Sequence, residues 1–115
     1  MIEILQSKIH RATVTKADKE YEGSISIDRS LARRAGIVEY QKVLVADIDN
    51  SARFETYVIY SKVPGEICVN GAAAGLVDVG DRVIILAFCI TEREDAERGS
   101  PIIIRVDDNN RVREE

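Results

Sequence analysis

The residues with most chemistry to offer are Gly23 and Ser24, in the run Tyr21-Glu22-Gly23-Ser24. The Ser24 hydroxyl lies beside the Gly23 carbonyl, so a nucleophile and an acyl group are neighbours in the chain. Glycine reaches backbone angles closed to other residues, which makes a tight or strained linkage cheap there. Two readings fit: a hairpin turn leading into a strand, or a peptide bond that the chain itself attacks. Tyr21, two positions earlier, carries a phenol that could pack over this connection and donate a hydrogen bond. Upstream stand Lys8 and His10. Their spacing puts both side chains on one face of an extended segment, with Ile9 on the other. A cation and an imidazole would then sit side by side, near enough in sequence to serve the turn. Downstream, Asn70-Gly71-Ala72-Ala73-Ala74-Gly75 permits close backbone approach and could present amides to an anion. It lacks the spacing and the lysine of a phosphate-binding loop. A tight packing turn or short helix is its ordinary use.

These groups need elements to hold them, and the pattern predicts short strands. Residues 2–10 mix apolar and polar positions as a strand does, and residues 12–15 continue the extended run. Residues 16–22 are polar and read as an exposed connection or a turn of helix. Residues 24–28 alternate with period two. A short helix is expected over 30–35, capped by Asp28 or Ser30 and ended by Gly36, with Arg33 and Arg34 in its last turn. Residues 43–48 read as a buried strand, Asp49-Asn50-Ser51 as a turn, and residues 53–59 as the return strand. On a regular strand Arg53, Glu55 and Tyr57 share one face, and Phe54, Thr56 and Val58 the other. Residues 67–69 and 82–89 are further strands. One helical turn is expected within 92–98, and a last strand over 102–106. Many short strands and few helices imply an all-β chain forming a small β-barrel.

Size and charge limit the function. At 115 residues the chain suits one compact domain, and 45% apolar residues argue against disorder. Lys and Arg number 16 against 20 Asp and Glu, a formal net charge of −4. Nothing there calls for nucleic acid. The acidic stretch 107–115 is expected to be frayed surface. Two cysteines, Cys68 and Cys89, lie in apolar segments and read as buried thiols in a reducing compartment. A lone His10 gives no metal-ligand cluster. No membrane-spanning or targeting segment is visible, so the cytoplasm is the expected location.

The run Lys8-Ile9-His10-Arg11-Ala12-Thr13-Val14-Thr15, followed by Tyr21-Glu22-Gly23-Ser24, resembles the amino-terminal signature of the pyruvoyl-dependent aspartate 1-decarboxylases. Asp49-Asn50, Arg53-Phe54, Thr56-Tyr57, Val69-Asn70-Gly71-Ala72-Ala73-Ala74 and Val79-Gly80-Asp81-Arg82-Val83-Ile84-Ile85 continue the likeness in the same order. The resemblance implies a double-psi β-barrel, a homotetramer, and self-cleavage between residues 23 and 24. Ser24 would attack the Gly23 carbonyl and turn the peptide into an ester. Loss of the Ser24 α-proton and β-elimination would split the chain, and tautomerisation and hydrolysis would leave a covalent pyruvoyl group. That carbonyl would accept the electrons left when L-aspartate loses its α-carboxylate, yielding β-alanine for pantothenate biosynthesis.

The same resemblance assigns roles. Arg53 would clamp a substrate carboxylate through its planar donor fork, with Lys8 adding positive field. Tyr57 would return a proton after decarboxylation. Thr56 would assist the cleavage intermediate, and His10 and Tyr21 would shape that region. Asn70, with Gly71, Ala72 and Ala73, would orient the pyruvoyl end or the substrate. The chain departs from the family at Ala46, where a tryptophan is frequent, and at Gly75, where a histidine is frequent. The resemblance leaves open a maturation factor. It also leaves glutamate as an alternative substrate, since one methylene is worth about 1–3 kcal/mol of discrimination. A non-enzymatic oligomeric barrel that binds a ligand is the remaining alternative.

Overall fold

A computed structural model describes residues 1–114; Glu115 lies outside the described residues. Eight strands form one mixed sheet: β1 (Ile2–Thr13), β2 (Lys16–Asp18), β3 (Ser24–Asp28), β4 (Lys42–Asp47), β5 (Arg53–Ser61), β6 (Ile67–Asn70), β7 (Arg82–Thr91) and β8 (Ile102–Arg105). Two short helices, α1 (Arg29–Arg34) and α2 (Arg93–Arg98), and a 3₁₀ turn over Gly71–Leu76 complete the described elements. The strands run in the spatial order β2-β6-β3-β5-β4-β7-β1-β8.

The period-two pattern explains how the core forms. Ile25 and Ile27 of β3, Val43 and Val45 of β4, Val58 of β5, and Val83 and Ile85 of β7 are buried, each at most 1% exposed. Apolar side chains from one side of a curling sheet can bury one another without a covering helix layer. Parallel pairing of β3 with β5, β1 with β8 and β2 with β6 is mixed among antiparallel ladders. Parallel neighbours cannot be joined by a tight hairpin, so the chain must cross over. This mainly β, barrel-like fold agrees with the expected class.

Helix α1 begins where Asp28 accepts the Ser30 amide at 3.0 Å, which fills one orphan donor of the first turn. Gly36, at φ +71°, lets the chain leave the helix. Three expectations need correction. Residues 16–22 are not merely a connection, because Lys16–Asp18 forms β2 against β6. Cys89 is only partly buried, unlike Cys68; both are free thiols. Within residues 107–114 the chain is mostly exposed but clipped down at Asn110 rather than frayed; Glu115 lies outside the described residues. Asn110 is 2% exposed; its Oδ1 accepts the Thr13 amide at 2.7 Å, and its Nδ2 donates to the carbonyls of Thr13 and Gly65, both at 2.8 Å. Such a fork replaces a missing ladder partner with side-chain hydrogen bonds, so polarity there signals a clasp.

Candidate active site

Ser24 opens β3 and is 2% exposed. It stands opposite Asn70, the last residue of β6, in an antiparallel ladder that also pairs Ser26 with Cys68. Residues directly opposite share a face, so these four side chains form one patch. Asn70 Nδ2 donates to Ser24 Oγ at 3.0 Å and to Ser26 Oγ at 3.1 Å. Its Oδ1 accepts from Cys68 Sγ at 3.1 Å. Burial, and secondarily the negative charge of Glu66, pushes the Cys68 thiol up, so it keeps its proton. A cavity of about 200 Å³ borders this patch, lined in part by Tyr21, Ser26, Cys68 and Asn70. The Tyr21 side chain is 63% exposed at its rim.

The glycine demand falls elsewhere than expected. Gly23 has open space where a Cβ would stand and does not occupy the left-handed region. Gly71 does, at φ +75°, and a Cβ there would lie 2.5 Å from Gly23 Cα and 2.7 Å from Gly23 N. The close approach expected of the small-residue turn is therefore real, and Gly71 makes it against the N and Cα of Gly23, the residue before Ser24. Ala72 and Ala73 follow within the 3₁₀ turn.

The remaining residues approach from β5 and β1. In the parallel ladder Ile25 pairs with Val58 and Ser26 with Ile59. One step back along both strands sets Tyr57 next to Ser24, the first residue of β3; Gly23 precedes the strand. The β4–β5 ladder runs from Lys42–Tyr57 to Ala46–Arg53 without a register shift. No bulge therefore gathers β5 side chains onto one face. Arg53 and Tyr57 lie on the exposed face, and Thr56 on the other with buried Val58. Lys8 and His10 flank buried Ile9, as their spacing predicts. Along the sheet, β7 and β4 separate the strand of Lys8 from the strand of Arg53 and Tyr57. Among the described residues no hydrogen bond or ion pair joins Lys8, Arg53 or Tyr57 to Ser24 or Asn70. His10 opens on a different cleft of about 250 Å³, shared with Arg11, Arg82 and Arg105. Burial, followed by the charges of Lys8, Arg11 and Arg105, holds its pKa below the usual imidazole value, so it is neutral at pH 7. Its Nδ1 is buried without a hydrogen-bond partner in this chain.

A family model described as aspartate decarboxylase matches residues 1–113. The chain belongs to the aspartate decarboxylase family. It is 55% identical over 113 residues to an aspartate 1-decarboxylase of Caldicellulosiruptor saccharolyticus, covering 97% of this chain and 88% of the relative. It is 52% identical over 113 residues to that of Lactiplantibacillus plantarum, covering 97% and 87%. The Campylobacter jejuni protein of the same name is 50% identical over 109 residues, covering 95% and 86%.

Within this aspartate decarboxylase family member, two residues of the patch were absent from the sequence-derived set: Ser26 and Cys68. Their signal was available. Ser24 and Ser26, like Cys68 and Asn70, are two apart and so share a face of a strand. What the sequence did not supply was the register that sets one pair opposite the other. At the family departure Gly75, a Cβ would lie 3.2 Å from Lys19 Cε, so the Lys19 side chain fills space beside that position. Ala46 stands opposite Arg53 on the exposed face of β4 and β5.

Proposed function

We propose that this chain is a self-processing aspartate 1-decarboxylase, one barrel domain over residues 1–115, split between Gly23 and Ser24. It converts L-aspartate to β-alanine and carbon dioxide, a step that supplies pantothenate biosynthesis in the cytoplasm. The observation that carries this reading is the corner of β3 and β6. There a buried serine hydroxyl is held by Asn70, beside a Gly23 backbone crowded by Gly71.

The processing half follows from that corner. Accepting a hydrogen bond from Asn70 Nδ2 leaves the Ser24 hydroxyl proton free to depart as Oγ attacks the Gly23 carbonyl carbon. The close backbone of Gly71 restricts where Gly23 can move, which favours a near-attack arrangement. Thr56, two residues before Val58 on β5, offers its hydroxyl to the oxygen on which charge develops. The surroundings fit a small carbonyl group made from Ser24, because the Asn70 amide already addresses that position. A pyruvoyl group there supplies an electron sink for α-decarboxylation.

The turnover half belongs to the exposed face. Tyr57, alongside Ser24 by register, holds a proton for the former α-carbon. Arg53, two residues away on the same face, binds a substrate carboxylate. Two strands, β4 and β7, stand between Lys8 and these residues along the sheet. We therefore assign it to a neighbouring copy, in a homotetramer with sites at subunit boundaries. The test is intact-protein mass measurement on purified precursor before and after warming, in parallel with assay of β-alanine. Wild type splits into two chains at residue 23, and the larger begins with a blocked terminus. Ser24→Ala neither splits nor decarboxylates. Normal decarboxylation by a Ser24→Ala protein would sink the reading.

A further inference from the structure

We propose that the Cys68 thiol, with Ser26, sets which end of the Asn70 side-chain amide faces Ser24, making both positioning residues for chain cleavage. The proposal rests on the reading of Ser24 as the self-processing nucleophile, and adds residues that act on it through Asn70.

A carboxamide is nearly the same shape after a half-turn about its terminal bond, but the turn exchanges donor for acceptor. Two serine hydroxyls cannot decide between the two states, because each hydroxyl can donate or accept. With Nδ2 inward, Ser24 Oγ receives an N–H and keeps its proton unengaged. With Oδ1 inward, Ser24 would spend its proton on the amide oxygen, and the hydroxyl would be turned away from attack. Something must break the tie, and Cys68 does so. Its Sγ lies 3.1 Å from Asn70 Oδ1, within a buried corner where the thiol stays protonated. A protonated thiol is a donor and only a weak acceptor, so it holds the oxygen end of the amide. Both Nδ2 hydrogens then point at Ser24 and Ser26, at 3.0 and 3.1 Å. Ser26 occupies the second N–H, so a single amide group is fully satisfied and locked. The strand register makes this possible, because Ser24 faces Asn70 while Ser26 faces Cys68.

Other buried polar groups carry less. The Asp47, Asp49 and Asp81 carboxylates cluster away from that corner, and there burial and then Asp81 raise the Asp47 carboxyl.

The experiment compares cleavage rates of purified precursor carrying Cys68→Ala, Cys68→Val or Cys68→Ser, each first shown to be folded by thermal melting. A donor role predicts that Ala and Val slow splitting about tenfold, the scale of leaving a buried acceptor unpaired. Ser gives a rate between those of Cys and Ala, because its hydroxyl can donate as the thiol did but can also accept and so holds the amide less firmly. Ser26→Ala, which frees one N–H, slows splitting less than Cys68→Ala. A purely packing role predicts the opposite order, with Val close to wild type and Ser impaired; that order overturns the proposal. A second readout does not depend on cleavage: the side-chain amide hydrogens of Asn70, followed by nitrogen-15 NMR in a Thr56→Ala background. They exchange slowest with Cys at position 68, faster with Ser, and at least tenfold faster than Cys with Val. Equal exchange in all three overturns the proposal even where no chain splits. Wild type that never splits, alone or in the cells that express it, with slow Asn70 exchange that depends on the donor, would instead refute the processing reading and leave the amide's orientation standing.

Discussion

The β3–β6 corner and the outer face of β5 differ in how finished they are within one chain. At the corner, Ser24, Asn70, Ser26 and Cys68 are joined by hydrogen bonds of 3.0–3.1 Å, and Gly71 leaves no room for a Cβ beside Gly23. On the outer face, Tyr57 is 38% exposed, Arg53 is exposed, and Lys8 stands beyond two intervening strands. A buried polar group must be satisfied by its own chain, whereas an exposed one can wait for a partner. The contrast separates two tasks. On the function proposed above, cleavage chemistry is assembled inside a protomer, and substrate chemistry is left for an assembly to complete.

The largest effect should come from crowding the corner. Gly71→Ala places a Cβ against the Gly23 backbone at a positive φ, costing more than about 2 kcal/mol and abolishing splitting. Gly23→Ala meets open space and should fold normally, with a melting temperature close to wild type. If both variants fold and split alike, the close approach has no part in cleavage. Next, Tyr57→Phe should leave splitting intact while lowering β-alanine formation about 10²–10⁴-fold, the usual worth of a placed proton donor. Turnover measured on fully split enzyme checks this, and a loss of splitting instead would move Tyr57 to the other region. Arg53→Ala should reduce kcat/KM for aspartate by about 2–5 kcal/mol, roughly 30-fold to a few thousandfold, again without slowing cleavage.

A mixing experiment sharpens the division between regions. Lys8→Ala and Arg53→Ala proteins, each severely impaired, should recover activity when co-assembled from equal amounts. About a quarter of sites would then receive both intact residues, if the two come from different copies. No recovery in demonstrated mixed oligomers would return both residues to one chain.

The smallest effect lies at the end of β4, away from both regions. Burial and the neighbouring Asp81 raise Asp47 from 3.8 to about 6. A raised carboxyl pKa means the folded chain binds more protons than the unfolded one. This contribution is fully present below about pH 4 and is lost as pH climbs through 6. Asp47→Asn is neutral throughout. Its melting temperature should match wild type near pH 4 and exceed it above pH 6, by the equivalent of on the order of 1–2 kcal/mol at pH 7. Decarboxylase activity should not change.

How far the sequence reaches differs between these regions. Period-two alternation in Ser24–Asp28 and Arg53–Ser61 identifies the strands, and it also assigns Arg53 and Tyr57 to one face and Thr56 to the other. Asp28 and Gly36 mark the ends of α1 because capping is a local matter between residues close in the chain. The ordered likeness of Lys8, Gly23-Ser24, Arg53, Thr56-Tyr57 and Asn70 to one family identifies the candidate residues. Local pattern carries no information about register, since any pairing that keeps apolar residues inward satisfies it equally. Only the fold sets Ser26 against Cys68, turns the Asn70 amide toward Ser24, and transfers the demand for glycine from Gly23 to Gly71. Asn110 makes the same point at the other end. Its side chain replaces ladder partners for Thr13 and Gly65, residues distant in sequence, so a polar tail becomes a clasp only once the strands are in place.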